Sequence, residues 1–323
     1  MTMFATSTGP HAELPAFFDV AVLAGGVSAE RAVSLASGRA VQAALCQFGH
    51  FATLFDPAEI DLEDIAWRNF DVGFICLHGG AGENGRVQLQ LEEIGVPYTG
   101  SQPLACRLAM SKIAAKERFA RRGLATPESI SLRAGDPTPQ LLQQVARFGF
   151  PAVIKPDSQG SSLGVGLVAA PDDVPDAIAN AKRFESVLLA ERYVPGRELT
   201  VTLLDEQPLP VLQIEPERAL FDYENKCTPQ PGSIRALDES DPVSVAAQTL
   251  AVEAARALGT RGLVRVDLIA DEATGELWLL EVNAVPGMTA RSLAPLAARH
   301  AGIDMSMLCD ALARAALATE VHA

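Results

Sequence analysis

The sequence predicts an α/β protein. Three observations carry that reading: two opening cycles of strand, glycine turn and helix; a middle stretch in which helices and strands alternate; and a last third rich in strands, including one long hairpin. At 323 residues, and roughly 150 residues per domain, the chain has room for two domains or three small ones. Its residues are 48% hydrophobic, 20% charged and 6% aromatic, enough for a sizeable core and unlike a disordered chain. The 26 Lys and Arg against 40 Asp and Glu leave a net charge of -14. That charge repels polyanions, so general binding to nucleic acid or to an acidic membrane surface is excluded. Any phosphate ligand must be held locally.

The elements follow in order. Residues 1–18 hold no Lys or Arg and no apolar run of about 7 residues, so they read as a loose tail and not as a secretory or transit signal. Residues 19–24 form an apolar strand ending in Gly25-Gly26, and from Ser28, a candidate cap, apolar positions recur at helical spacing through Leu45. A second cycle has a strand over 71–77, a glycine-rich turn over 78–85 and a helix over 86–94, which together imply a parallel sheet covered on both faces. Beyond residue 110 the pattern predicts a helix over 111–122, a strand over 129–132, a helix over 138–148 and strands over 151–155 and 165–168. The last third predicts strands over 187–191, 198–204 and 209–215, helices over 244–258 and 304–318, and a hairpin over 263–283. Boundaries fall near 110 and 190, giving units 19–110, 111–190 and 191–323. No stretch approaches the roughly 18 apolar residues of a membrane span. The five cysteines (Cys46, Cys76, Cys106, Cys227, Cys309) are scattered and lack metal or disulfide spacing, which suits reduced thiols in a cytoplasmic protein.

The hairpin carries the strongest chemical signal. Side chains alternate faces on a strand, so Arg265 and Asp267 share one face, and Glu281 and Asn283 share one on the return strand, opposite Leu280 and Val282. A turn near Thr274 sets Asp267 across from Glu281 and Arg265 across from Asn283. Two carboxylates so close repel by roughly 4 kcal/mol at an effective dielectric of 20, which calls for a cation or a shared proton. Oxygen ligands without nearby His or Cys favour magnesium over zinc. The plain alternative is a solvent-facing hairpin whose Arg and acids pair with one another.

A second signal is the stretch from Lys155 through Asp157, Ser158, Gln159, Gly160, Ser161 and Ser162 to Gly164. Glycines let backbone N–H groups approach anionic oxygens, serines add donors, and the lysine adds charge, as in a phosphate clamp; an ordinary flexible loop is the alternative. No Gly-Lys pair occurs in the sequence, so this is not a Walker A loop. Residues 160–164 also satisfy G-x-S-x-G, the hydrolase elbow, with Ser162 as nucleophile and His300 as a late histidine. That motif demands a helix after the turn, and here a strand follows.

Taken together, Ala24-Gly25-Gly26-Val27-Ser28-Ala29-Glu30-Arg31, Leu77-His78-Gly79-Gly80, Gly82-Glu83-Asn84-Gly85, Pro97-Tyr98-Thr99-Gly100-Ser101, Ile154-Lys155-Pro156, Gly160-Ser161-Ser162, Arg265-Val266-Asp267 and Glu281-Val282-Asn283 before Pro286-Gly287-Met288-Thr289 resemble the D-alanine:D-alanine ligase family. The likeness runs from about residue 19 to 318, in the family's order. It implies an ATP-grasp fold with an N-terminal Rossmann-like domain, and ATP-dependent ligation of two D-alanine molecules through an acyl phosphate, for peptidoglycan precursor synthesis. By the same resemblance, Lys112, Lys155 and Ser161 would meet ATP phosphates, with Lys226 near the γ-phosphate. Glu191 would meet the adenine amino group, the backbone of Arg192 and Val194 its edge, and Glu198 the ribose. Asp267, Glu281 and Asn283 would hold two magnesium ions, with manganese as a substitute. Glu30 would take the first D-alanine's ammonium and His78 would lie near its carboxylate. Arg265 and the Gly287 backbone would stabilise the oxyanion, and Ser292 would take the second carboxylate. A homodimer is the family's usual state.

One departure stands out. Where many members have Lys-Tyr, with the hydroxyl linking the N-terminal glutamate to the clamp serine, this sequence has Lys226-Cys227. Gln159 also stands where an acid is common. The hydroxyl relay from Glu30 to Ser161 then lacks a member unless Tyr223 supplies it. Ordinary D-alanine ligation, acceptance of D-lactate, another D-amino acid pair, or a non-catalytic ATP-binding relative are the readings this leaves.

Overall fold

The structure, a computed structural model, describes residues 14–215 and 234–320. Three sheets follow one another along the chain. The first is parallel, in the order β2-β1-β3, from β1 (Asp19–Leu23), β2 (Phe51–Phe55) and β3 (Val72–Ile75). β1 is buried on both faces, as an apolar run in a parallel sheet must be. Val20, Val22 and Ala24 join a core with α1 (Arg31–Phe48), while Ala21 and Leu23 face a second core that includes Leu91 of α2 (Arg86–Ile94). The predicted two-sided parallel sheet is therefore present. β2, short and without a fully buried residue, lies outside the strands expected from the sequence.

The second sheet is antiparallel, β4-β7-β5-β6, from β4 (Ser129–Arg133), β5 (Ala152–Pro156), β6 (Gly166–Val168) and β7 (Val187–Arg192). Helices α5 (Thr138–Phe148) and α6 (Val174–Ala181) cover it through Leu141, Val145, Val174 and Ile178. The third, also antiparallel, runs β11-β10-β8-β12-β13, with β9 (Gln207–Pro208) pairing β8. Its strands are β8 (Gly196–Leu204), β10 (Leu212–Ile214), β11 (Ile234–Ala236), β12 (Leu263–Asp271) and β13 (Leu277–Asn283). Against it pack α3 (Pro103–Met110), α4 (Lys112–Arg121) and α7 (Pro242–Leu258). The strand expected over 209–215 is broken: Leu212–Ile214 forms a ladder with β8, and before it the Leu209 N–H bonds the Thr202 carbonyl.

The chain then returns to its beginning. Helix α8 (Leu293–His300) leads to α9 (Met305–Glu320), and Leu308, Cys309, Leu312 and Ala313 enter the same core as β1 and α1. Residues 14–18, read from the sequence as the end of a loose tail, are held by this return. Phe18 is buried and stacks on His50, and Arg314 donates to the carbonyls of Pro15 and Ala16 at 3.3 and 2.9 Å. His50 in turn contacts Asp310 at 2.9 Å.

Helix α1 lies against β1 because Gly38 has no side chain. A Cβ there would stand 2.3 Å from the Ala24 methyl and 3.2 Å from Leu54. We predict that Gly38→Ala costs about 1–3 kcal/mol through forced displacement in a packed core, read as a lower urea midpoint with an unchanged slope. A midpoint at or above that of the unsubstituted protein would refute so close a contact.

Candidate active site

The hairpin pairs in the register expected: Asp267 faces Glu281 and Arg265 faces Asn283. Just beyond, the register slips, and Leu268 faces Leu279. The slip is a β-bulge, which places two residues against one and turns a side chain over. Leu280 was expected on the buried apolar face with Val282. Instead Leu279 is fully buried and Leu280 lines a cavity with the two acids. A bulge leaves no trace in strict alternation, so the sequence pattern alone misses Leu280.

Arg265 grips Asp267 with two bonds, Nε to Oδ1 at 2.9 Å and Nη2 to Oδ2 at 2.8 Å, and Thr200 donates to Oδ1 at 2.7 Å. Burial weakens the charged guanidinium, yet Asp267, Glu281 and Glu83 outweigh it and raise the pKa well above its ordinary value. Lys112 places its ammonium 3.4 Å from Glu281 and donates to the Gln159 carbonyl at 2.8 Å. Asp157 fixes this lysine's helix. It accepts from the Ser111 hydroxyl and the Ile113 N–H, both at 2.8 Å, capping the start of α4. The small-residue loop and Lys112 are thus one assembly.

That loop turns through Ser161 and Ser162 at φ of 52° and 56°, a conformation that costs energy in non-glycine residues and clusters at functional sites. The Ser161 hydroxyl donates to Glu30, across 131 residues of sequence. Burial raises the Glu30 pKa and nearby Glu83 adds to the rise, against Ser161, His78 and Arg265. Gly79 makes room for this acid, since a Cβ there would lie 2.7 Å from its carboxylate. A strand, β6, follows the loop, so the strand–turn–helix context that a nucleophilic Ser162 needs is absent.

At the other end, Glu191 sits 3% exposed between two lysines, Lys155 at 2.6 Å and Lys116 at 2.5 Å. Burial raises its pKa, but the two cations more than compensate and hold it below the usual carboxylate value. Lys116 was not evident in the sequence, where its place four residues after Lys112 reads as one more helix lysine. It also donates to Thr126 Oγ1 at 2.7 Å, and Thr126 donates to the Leu279 carbonyl at 2.8 Å. Lys155, expected at a phosphate, points its ammonium at Glu191.

All the expected site residues among those described line one cavity of about 310 Å³. Glu30, His78, Lys112, Lys155, Ser161, Glu191, Arg192, Val194, Glu198, Arg265, Asp267, Glu281, Asn283, Gly287 and Ser292 all border it. Lys226, with Cys227 and Tyr223, lies outside the described residues. His78, expected near the first substrate's carboxylate, lines the cavity with both ring nitrogens engaged. Its Nδ1 lies 3.1 Å from the Val285 carbonyl and its Nε2 2.9 Å from the Ser37 hydroxyl. Ser292 begins α8 and accepts from the Thr289 N–H at 3.1 Å, and Arg291 lines the cavity beside it. A helix start with an adjacent cation suits a carboxylate. Glu83, 3.8 Å from His78, is a further lining residue missed by the sequence reading of single residues.

The donor set at the hairpin, two facing carboxylates and an amide, is the hard oxygen set that magnesium prefers. Among the described residues, no cluster of three or more His, Cys, Asp or Glu side chains could hold a metal by itself, so Asn283 and a bound anion would have to complete any coordination shell. The two acids already face two cations, Arg265 and Lys112.

The parallel sheet followed by two antiparallel sheets with the cavity along their strands defines an ATP-grasp fold with a Rossmann-like N-terminal unit. In agreement, a solved D-alanine–D-alanine ligase from Bacillus anthracis, complexed with ATP, superimposes with a TM-score of 0.81 at 28% identity, covering 94% of this chain and 99% of that one. The model of the "D-ala D-ala ligase C-terminus" family matches residues 119–314. The D-alanine–D-alanine ligase of Aromatoleum aromaticum is 44% identical over 302 residues, 92% of this chain and 95% of that protein. That of Geobacter sulfurreducens is 43% identical over 295 residues, 90% and 92% of the two. The chain belongs to the D-alanine–D-alanine ligase family.

The Lys155–Glu191–Lys116 triad predicts a pH signature. Burial pushes Lys116 down from 10.5 to about 8, opposed by Glu191 and aided by Lys155. Between those values the unfolded chain binds this proton more strongly, so stability rises with pH from about 8 to about 10.5 on its account. Glu191 contributes stability above 4.5 that is lost as pH falls through its lowered folded value. Lys116→Met should cost about 3 kcal/mol or more near neutral pH, the scale of breaking a buried pair. It should also flatten the alkaline rise in urea-unfolding curves; a variant with the parent's pH profile would refute the assignment.

Proposed function

We propose that this chain joins two D-alanine molecules into D-alanyl-D-alanine with cleavage of ATP to ADP and phosphate, supplying a peptidoglycan precursor. The observation that carries the reading is convergence. Glu30 from the first unit, Ser161 from the second and Arg265, Asp267, Glu281, Gly287 and Ser292 from the third border one cavity, in a member of this family. The chain divides on this reading into units 19–110, 111–190 and 191–323, with the nucleotide between the last two.

A carboxylate is a poor electrophile. Transfer of the ATP γ-phosphoryl group to the first D-alanine's carboxylate makes an acyl phosphate, and the second D-alanine's amine then displaces phosphate. Glu30 holds the first ammonium. Lys112 at the glycine loop faces the phosphates, and Lys155 joins it by exchanging Glu191 for phosphate oxygens. Glu191, held by Lys116, and Leu280 form the wall at the adenine, with the Arg192 and Val194 backbone along its edge and Glu198 toward the ribose. Lys226 belongs near the γ-phosphate by resemblance. Arg265 and the Gly287 N–H meet the tetrahedral oxyanion, the kind of donor pair worth several kcal/mol in a dry site. Ser292, at the start of α8, receives the second carboxylate. Asp267, Glu281 and Asn283 would hold magnesium, or manganese in its place, whose chemistry is neutralisation of phosphate charge. Ser161, tied to Glu30, closes the loop over the site and keeps water from the acyl phosphate.

The same reading places the protein in the cytoplasm, as a homodimer acting on small molecules. Membership of the family supports it, and none of the described helices is long and apolar enough to cross a membrane.

The test is product analysis by mass spectrometry with ATP, magnesium and D-alanine. We expect ADP and D-alanyl-D-alanine in equal amounts, both lost on chelation of magnesium. With Cys227 at the relay position, D-lactate belongs in a parallel reaction: a depsipeptide as the main product would replace the dipeptide assignment, and absence of ADP with every acid would leave a binding protein. Glu281→Ala should lower kcat at least about 100-fold while the fold persists; near-parental turnover would remove the metal assignment.

A further inference from the structure

Gly287 is presented by a short segment whose two flanking backbone groups are both fastened to the N-terminal unit. The Val285 carbonyl lies 3.1 Å from His78 Nδ1, and the Met288 N–H donates to Ser37 Oγ at 3.1 Å. Ser37 Oγ is also 2.9 Å from His78 Nε2. A carbonyl only accepts, so Nδ1 carries a ring proton, and in the neutral ring Nε2 has a lone pair to offer. The Ser37 hydroxyl therefore accepts from Met288 and donates to Nε2. Proton by proton, the chain runs from Met288 N–H through Ser37 O–H and His78 to the Val285 carbonyl, encircling Pro286 and Gly287. Ser37 is fully buried and His78 is 4% exposed. No water competes for these groups, and each has one sense of donation.

We infer that Ser37, 250 residues away in sequence, is a positioning residue for the Gly287 N–H, acting through Met288 and through the fixed tautomer of His78. The inference rests on the ligase reading above. A backbone donor stabilises an oxyanion only where it is already aimed at the point where the charge develops. Glycine itself holds no such aim, having no side chain to pack. Its direction here comes from the anchors at 285 and 288, and both lead into the unit that carries Glu30. The distance between the group that seats the first amino acid and the group that receives the developing charge is thus set by one serine on α1. His78 lines the cavity while both of its nitrogens engage the segment and Ser37.

The experiment compares Ser37→Ala with the parent protein. Loss of aim at a transition-state donor lowers kcat and kcat/KM together, so both should fall about 10- to 100-fold for D-alanine, the scale of an ångström of misplacement. The KM for ATP should stay within about twofold, because the nucleotide end is untouched. Ser34→Ala controls for simple destabilisation. Ser34 is equally buried on α1, donating to the Cys76 carbonyl at 2.7 Å and accepting from the Gly25 N–H at 2.8 Å, and its loss should leave kcat within about twofold. Nitrogen-15 spectra of labelled histidine, taken without substrates, should show His78 in the Nδ1–H form in the parent and a mixture of tautomers in Ser37→Ala. Turnover of Ser37→Ala within twofold of the parent, equal losses in Ser34→Ala, or an Nε2–H form in the parent would each overturn the inference. Should Ser37→Ala not fold, the parent spectrum alone decides. A parent that makes no dipeptide sinks the ligase reading, while the tautomer measurement stands apart from it.

Discussion

Repulsion between Asp267 and Glu281 is the constraint to which much of this molecule answers. Their side chains project from paired positions of a hairpin whose other face is sealed in the core, so the backbone holds the two acids near one another. Every cation near them is placed in response. Arg265 lies on the same strand face and binds Asp267 through two nitrogens. Lys112 reaches Glu281 from a helix that a loop aspartate caps. An acidic chain with few bases spends several of them here, Lys155 and Lys116 included, because charges removed from water must be matched nearby.

The same economy explains the unusual contacts. Glu191 would be intolerable as a buried lone carboxylate, and two lysines make it a stable anion. The positive charge is kept buried and paired.

Segments distant in sequence meet at the cavity, joined by directional polar links. Ser161 bonds Glu30, Ser37 and His78 bond the segment after β13, and Thr126 bonds the β13 carbonyl at Leu279. Apolar packing joins the two ends of the chain, with α9 lying in the core of the first sheet. A closed path of this kind lets one unit shift against another only by exchanging specific hydrogen bonds, as a site that must exclude water and then release product requires.

Local signals in the sequence determined the alternating elements, the parallel first sheet, the hairpin register and the acids and arginine that face each other on it. These depend on spacing of two or about 3.6 residues and on turn chemistry, which a linear pattern records. Motif likeness added residues as remote as Glu30 and Ser292 to the same list. Tertiary structure alone decided the rest. The bulge that turns Leu280 into the cavity, the pairing of Lys116 with Glu191 and the engagement of both His78 nitrogens have no linear signature. Each arises where segments distant in sequence compete for the same donor, acceptor or charge, and only the folded chain settles which partner is close enough to win.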